Sequence, residues 1–275
     1  MEELVLICVL YNPTQECINK WLSFSYSMPN SIFIDNSDQK NCYYSLPNYI
    51  PLQSNLGIAK AQNIGIEKAK ELGYKYVCFF DQDSNIPSDL VISLFNEYSL
   101  LKISGIKIGG LGPAQREIKT GKLYKGFKTE YDNPKEVGSL ISSGTLTEVS
   151  VIDDVGFFRD ELFIDLVDHE WCWRAKSKGY KLFISSKCVL QHQVGRKTIN
   201  LLGYQILISS PFRYFYQYRN TLWLIKCNYA PNIWKYKVLI RRFIEFFIIP
   251  FYTGNFSLTI KNIFKGVIAG LKYKL

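Results

Sequence analysis

Three apolar runs that each stop at polar residues constrain this chain more than any other feature. LVLICVL (4–10) ends at Tyr11-Asn12-Pro13, SIFIDNS (31–37) ends in Asp35-Asn36-Ser37, and YKYVCFF (74–80) ends at Asp81 and Asp83. A strand apolar on both faces belongs in a sheet covered by helices on both sides. The segment between the second and third runs reads as one such helix. Asn55 is placed as its N-cap, Ile58, Ala61, Gly65, Ala69 and Leu72 recur at helical spacing, and Gly73 stands where a C-terminal cap belongs. Strands alternating with helices predict an α/β fold. In an open parallel sheet the strand ends share one rim where ligands bind. Asn12, Asp35, Asp81 and Asp83 are therefore expected to gather there.

Asp81 and Asp83, one residue apart, repel each other unless a cation or a shared proton intervenes. Carboxylate oxygens suit Mg²⁺ or Mn²⁺, and such ions take phosphate oxygens as further ligands. No Walker-type or G-x-G-x-x-G sequence is present, so a glycine-rich loop is not expected to hold the phosphates. A lone D-x-D also serves as an ordinary capped turn. Its place at the end of an apolar strand leaves the capped turn and a metal–diphosphate site both open.

A second acidic cluster lies in ELFIDLVDHEWCWRAKSKGYKLFISSKCVLQH (161–192). A helix starting near Asp168 would hold Asp168 and Glu170 at its positive end, with Asp165 just ahead. Phe163, Ile164, Leu166 and Val167 surround these acids with apolar groups, a setting that suits a general base. The alternative is that Asp168 simply caps the helix and Arg174 is a surface residue. Gly179 ends the helix, and YKLFISS reads as another strand. His192 is either a metal ligand or a core histidine.

Charge divides the chain. Residues 196–275 hold 13 lysines and arginines and one acid, Glu245, whereas residues 1–195 hold 20 basic and 23 acidic groups. A basic, aromatic tail on a mildly acidic body points to an anionic partner. YKVLIRRFIEFFIIPFY (236–252) sets Arg241 and Arg242 among Phe246, Phe247 and other apolar residues, as an interfacial membrane helix requires. The alternative is packing against the body or a second copy, so a homodimer stays open. Charge-free stretches near 198–212 and 246–260 are too short to span a bilayer. No helix-turn-helix or RNA-recognition signature supports a nucleic-acid-binding module. Seven scattered cysteines without a C-x-x-C pair read as reduced thiols, and the N-terminus lacks a signal-peptide pattern. Both predict a cytoplasmic protein, peripheral at the inner membrane.

FFDQDSNIP, ISSGTLTEVSVIDDVGFFRDELFIDLVDHEWCWRAKSKGYKL and VLQHQVG together resemble the inverting family-two glycosyltransferases with the GT-A fold. The D-Q-D-S and FIDLVDHEW forms are similar to the bacterial rhamnosyltransferase branch, and YNP, DNS and NLGIAKAQNIGI follow the expected order. The resemblance covers roughly residues 4–195. It implies a GT-A catalytic domain over 1–195 and a helical extension for membrane association or oligomerisation over 196–275. It further implies transfer of a sugar to a saccharide hydroxyl, with a polyprenyl-diphosphate-linked acceptor, in surface polysaccharide (O-antigen or capsule) synthesis. The implied donor is dTDP-β-L-rhamnose; another nucleotide-sugar (galactofuranose or a hexose donor) and a nucleotidyltransferase are the alternatives. By the resemblance, Asn12 and Asp35 lie near the nucleotide base, and Asn55, Gly57 and Asn63 shape the nucleotide-side loop and helix. Asp81 meets sugar or ribose, Asp83 binds a divalent metal (Mg²⁺ or Mn²⁺), and Ser143 and Gly144 line the donor–acceptor junction. Asp168 is the implied base. The first acid of the family's acidic pair is Val167 here, leaving Asp165 or Glu170 as the supporting acid. His192 is implied as a further metal or phosphate contact.

Overall fold

The apolar runs become adjacent strands. β1 (Leu4–Leu10), β2 (Ser31–Asp35), β3 (Tyr49–Pro51) and β4 (Tyr76–Asp81) run parallel in the order β3-β2-β1-β4. The structure, a computed structural model, describes residues 2–39, 41, 43–117, 121, 123, 133–192, 197–201 and 204–272. β5 (Ile108–Glu117), β6 (Lys135–Val137), β7 (Leu146–Glu148) and β8 (Lys181–His192) extend the sheet to eight strands, continuing as β7-β5-β8-β6 beyond β4. β7 is antiparallel to β4 and β5, and β8 is parallel to β5.

Successive side chains of a strand point to opposite faces, and here both faces are covered. Val5, Ile7 and Val9 of β1 join the core beneath α2 (Ile58–Glu71), α4 (Val149–Val155) and α5 (Val167–Ser177). Leu4, Leu6, Cys8 and Leu10 join Trp21 of α1 (Gln15–Ser27) and Leu90, Leu94 and Tyr98 of α3 (Leu90–Ile103). This double cover explains the unbroken apolar run at β1. Each fully buried large apolar side chain contributes about 1.5–3 kcal/mol relative to exposure.

α2 departs from expectation at both ends. Gly57, not Asn55, is its N-cap, and Asn55 Oδ1 instead accepts from the Gly57 N–H (3.1 Å). Leu72 is 44% exposed because the helix turns it away, while Gly65 lies so close to β1 that a Cβ there would sit 2.4 Å from Ile7 Cγ2. Gly73 follows the last turn with φ +79°, as a helix-ending glycine does.

The C-terminal part begins with a hairpin, β9 (Lys197–Leu201) and β10 (Tyr204–Ile208), followed by α6 (Arg213–Leu224), α7 (Asn232–Ile248), a 3₁₀ turn (Ile249–Phe251) and α8 (Phe256–Lys272). α8 packs tightly on α6 through glycines: a Cβ at Gly266 would lie 2.4 Å from Phe215 O. Trp223 of α6 is buried with the sheet's own core, so packing runs across residue 195. Among the described residues no helix is long and apolar enough to cross a membrane.

Candidate active site

The parallel register aligns the ends of three strands: Leu10 sits beside Asp35, and Val9 sits beside Asp81. At the β2 end the Asp35 carboxylate is buried and accepts from the Ser37 N–H (3.1 Å), Ser37 Oγ (2.5 Å), Asn41 Nδ2 (3.0 Å) and Tyr49 OH (2.7 Å). Burial, followed by the bond to Asp35, pushes the Tyr49 phenol well above its usual range. Ser37 Oγ also accepts from the Asn12 N–H (2.7 Å). Asn12 itself is exposed at the rim with φ +45°. Beside it, Asn36 Nδ2 donates to Asn55 Oδ1 (3.1 Å) and Asn36 Oδ1 accepts from the Leu56 N–H (2.8 Å), shaping the entry to α2. Gly57 has φ +85° and packs on Phe163, where a Cβ would come within 2.6 Å of the Phe163 carbonyl oxygen. The Asn63 side chain is spent on Phe158 and Asp160 (Nδ2 to Phe158 O 2.8 Å and to Asp160 Oδ1 2.6 Å). It fastens α2 to that loop.

The β4 end is built by the residue between the two acids. Gln82 Oε1 accepts from the Tyr11 N–H (2.7 Å) and Gln82 Nε2 donates to the Tyr11 carbonyl (3.1 Å), while the Gln82 carbonyl accepts from Trp21 Nε1 (2.9 Å) and Lys20 Nζ (2.8 Å). This clamp ties the ends of β1 and β4, and sequence reasoning passed over it because it looked only at the flanking acids. Asp83 is exposed and Asp81 half-buried. Ser143 and Gly144, expected to line the junction, are buried beneath it instead. Ser143 Oγ shares a hydrogen bond with Ser84 Oγ (2.7 Å) and accepts from the Asp81 N–H (3.4 Å). The Gly144 N–H donates to the Phe79 carbonyl (2.6 Å) at φ +85°, with Pro113 packed where a Cβ would be.

The second acidic cluster separates into three different roles. Glu170 is fully buried. Its Oε1 accepts from Arg159 Nε (3.0 Å), Arg174 Nε (2.9 Å) and Tyr229 OH (2.8 Å), and its Oε2 from Arg174 Nη2 (2.9 Å). Asp165 is held by both Nη2 (2.6 Å) and Nε (3.2 Å) of Arg213. Both carboxylates are thus paired with arginines. Asp168, in the first turn of α5 behind the N-cap Leu166, accepts among the described residues from two backbone groups: the His169 N–H to Oδ1 (2.8 Å) and the Ser142 N–H to Oδ2 (3.4 Å). Among the described residues it forms no ion pair. Arg174 is thus a core residue, not a surface one.

Asp81 links the two clusters. Its pKa is raised to about 7 by burial first, then by the negative charges of Asp83 and Asp168. Three carboxylates therefore act on one rim, at Asp81. Such a donor set fits a divalent ion that brings phosphate and water as its remaining ligands. Among the described residues, no three His, Cys, Asp or Glu side chains converge as a ready metal cage. The His192 side chain lies outside the described residues, although its backbone ends β8 opposite Glu117.

The expected membrane group is corrected in part. Arg242 is turned inward, its Nη1 bonding Glu245 Oε2 (2.5 Å) and Gln217 Oε1 (3.0 Å), because Glu245 is buried between α7 and α6. Phe246 is half-buried and packs edge-on against Phe264. Arg241 and Phe247 remain exposed, with Ile233, Tyr236, Ile240 and Phe243 on the same outer stripe of α7.

The mixed eight-stranded sheet flanked by helices is that of the GT-A glycosyltransferases, and the chain has that fold. No family model matches the chain. Over 189 residues, 66% of its length, it is 35% identical to the dTDP-rhamnosyl transferase RfbF of Shigella flexneri, and it spans 64% of that relative. TarS of S. aureus (residues 1–349, with UDP-GlcNAc) superimposes with a TM-score of 0.56 at 14% identity, covering 96% of this chain and 79% of that one. GalNAc-T7 with UDP, GalNAc and Mn²⁺ gives 0.55 at 14% identity, covering 93% and 58%.

Proposed function

We propose that this protein is an inverting glycosyltransferase that moves L-rhamnose from dTDP-β-L-rhamnose to a hydroxyl of a saccharide acceptor. The observation that carries the reading is the separation of the three acids. Asp165 and Glu170 are neutralised by arginines, and Asp168 alone stays without an ion pair at the rim, within reach of Asp81's field. The likeness to a dTDP-rhamnosyl transferase supports the choice of donor.

A hydroxyl is a poor nucleophile, so a carboxylate must take its proton as the bond to C1 forms. Asp168 is that base. The C1–oxygen bond to the diphosphate breaks as the acceptor oxygen attacks from the opposite side, which converts a β-L donor into an α-L linkage. One base suffices, unlike the paired carboxylates of hydrolases. Asp81 and Asp83 would hold Mg²⁺ or Mn²⁺. The bound ion would stabilise the negative charge that develops on the diphosphate. The buried Asp35 and the Asn36–Asn55 pair shape the nucleotide side, with Asn12 at its edge.

The acceptor in this reading is carried on a polyprenyl diphosphate at a membrane surface, for O-antigen or capsule synthesis. The exposed stripe of α7 supports it: Ile233, Tyr236, Ile240, Phe243 and Phe247 recur every three or four residues, flanked by exposed Lys237 and Arg241. The test is to screen the purified protein against nucleotide-sugars with Mg²⁺ or Mn²⁺ for stabilisation and slow donor hydrolysis. Selective response to dTDP-rhamnose with release of dTDP is expected. Release of inorganic diphosphate from a nucleoside triphosphate would instead mark a nucleotidyltransferase.

A further inference from the structure

The segment just before Asp168 is held in a backbone conformation that it would not keep alone. Phe163, Asp165 and Leu166 all have φ between +63° and +67°, and none is glycine. Side chains at such φ values cost of order 1–3 kcal/mol each and persist only where surrounding structure over-determines them. Here the surroundings come from α6. Asn220, fully buried, donates its Nδ2 to the carbonyls of Leu162, Ile164 and Asp165, each at 2.9 Å. Arg219 Nη2 donates to the Glu161 carbonyl and to that of Leu162 (3.1 Å). The Phe163 carbonyl accepts from the Ile58 N–H (2.7 Å) at the start of α2. All five carbonyls from 161 to 165 thus have donors, four of them on α6. Tyr216 stacks flat on Phe163 (4.6 Å between centroids), and Arg213 grips the Asp165 carboxylate.

We propose that Asn220 is a positioning residue for the transfer reaction: with Arg213 it holds the 161–166 arch, and through the arch it sets Asp168 against the donor. The proposal rests on Asp168 being the base. It makes the first helix after residue 195 part of the machinery of transfer. The donor side has its own fastening, through Asn63 to Phe158 and Asp160. The arch meets the nucleotide side only at Phe163, through the Ile58 N–H and Gly57, so loosening it should reach the base more than nucleotide binding.

The experiment uses the full chain and steady-state kinetics. Asn220→Ala is expected to lower kcat by about 10–100-fold, the scale of a misplacement near 1 Å, with the donor KM changed less than about threefold. Leu94→Ala is the stability control: its side chain, on α3, is buried on the other face of the sheet, and the variant should lower Tm with kcat near wild type. The double variant Asn220→Ala/Asp168→Asn should be no slower than Asp168→Asn alone, since both act through one group. Arg213→Lys, at a partly exposed position, keeps the charge but loses the fork, and carries the same test if Asn220→Ala does not fold. It should lower kcat about fivefold or more, within the range of a small misplacement. Asn220→Ala and Leu94→Ala variants that lose kcat in proportion to Tm would overturn the proposal, as would additive losses in the double variant or a wild-type kcat for Arg213→Lys. An active Asp168→Asn would instead sink the assignment of the base.

Discussion

The backbone N–H of Ser142 donates to Oδ2 of Asp168 across 3.4 Å. That bond joins the loop over β7 to the head of α5, and so joins the donor half of the sheet to the acidic cluster. On its far side, Ser143 Oγ accepts from the Asp81 N–H. The two carboxylate sets are therefore linked by two neighbouring residues of one loop.

The first prediction ranks the three acids. Asp168→Asn keeps shape and removes basicity, and kcat should fall by roughly 10² or more while donor affinity, measured by calorimetry, stays near wild type. Glu170→Gln should act on folding instead. It leaves Arg159 and Arg174 without their shared buried carboxylate, a loss of about 3–5 kcal/mol for a broken buried pair, read as a large drop in Tm. An unaltered Tm for Glu170→Gln would remove it as the structural hub.

Much of this was readable beforehand, and the limits have physical causes. β1, β2 and β4 are legible because burial on both faces leaves an unbroken apolar run, and the rim acids follow from where those runs stop. The ranking of Asp165, Asp168 and Glu170 was not legible. All three look alike locally, and their partners lie far along the chain: Arg213 is 48 residues from Asp165, and Tyr229 is 59 from Glu170. Arg241 and Arg242 are neighbours on one helix, yet one faces out and the other in. Both pair with the buried Glu245, and what turns Arg242 inward is its further bond to Gln217 on α6. The burial of Ser143 was not legible either, since its partners Ser84 and Asp81 lie about 60 residues away in sequence.

The second prediction concerns the metal. Asp83 is exposed and has no role in the core, so Asp83→Ala should leave Tm within about a degree of wild type, as surface changes usually do. Turnover should be lost. Chelator should have the same effect on the wild type, reversed by Mg²⁺ or Mn²⁺. Full activity in chelator would remove the metal from the reaction.

The third prediction is a pH dependence with a definite sign. Asp81 is raised from 3.8 to about 7 by burial and by Asp83 and Asp168. Between those values the folded chain holds a proton that the unfolded chain has lost, so this contribution is complete below about pH 4 and falls away as pH rises through 7. In chelator, Tm should decline from pH 5 to pH 8 more steeply for the wild type than for Asp81→Asn, which has no such proton to lose. Equal slopes for the two proteins would show that the acids do not crowd one another at the rim.

The last prediction concerns α7. Its outer stripe includes Phe243 (67% exposed) and Phe247 (57%), with Arg241 60% exposed at the side chain. Against an anionic leaflet, exposed Lys237 and Arg241 should each add on the order of 1 kcal/mol, and the stripe adds about 25 cal/mol per Å² of apolar surface withdrawn from water. Arg242 takes no part, since it is committed to Glu245 and Gln217. Lys237→Glu with Arg241→Gln should weaken sedimentation with anionic liposomes and cost less Tm than Arg242→Glu, since Arg241 also pairs with Glu245 but from an exposed position. Arg242→Glu should lower Tm, because it sets a second acid against buried Glu245. Phe243→Asp with Phe247→Asp should abolish liposome binding and lower activity on a lipid-linked acceptor, while donor hydrolysis in solution persists. If those aspartates instead split a dimer in sedimentation equilibrium and leave liposome binding intact, the stripe is a subunit contact and the membrane reading fails.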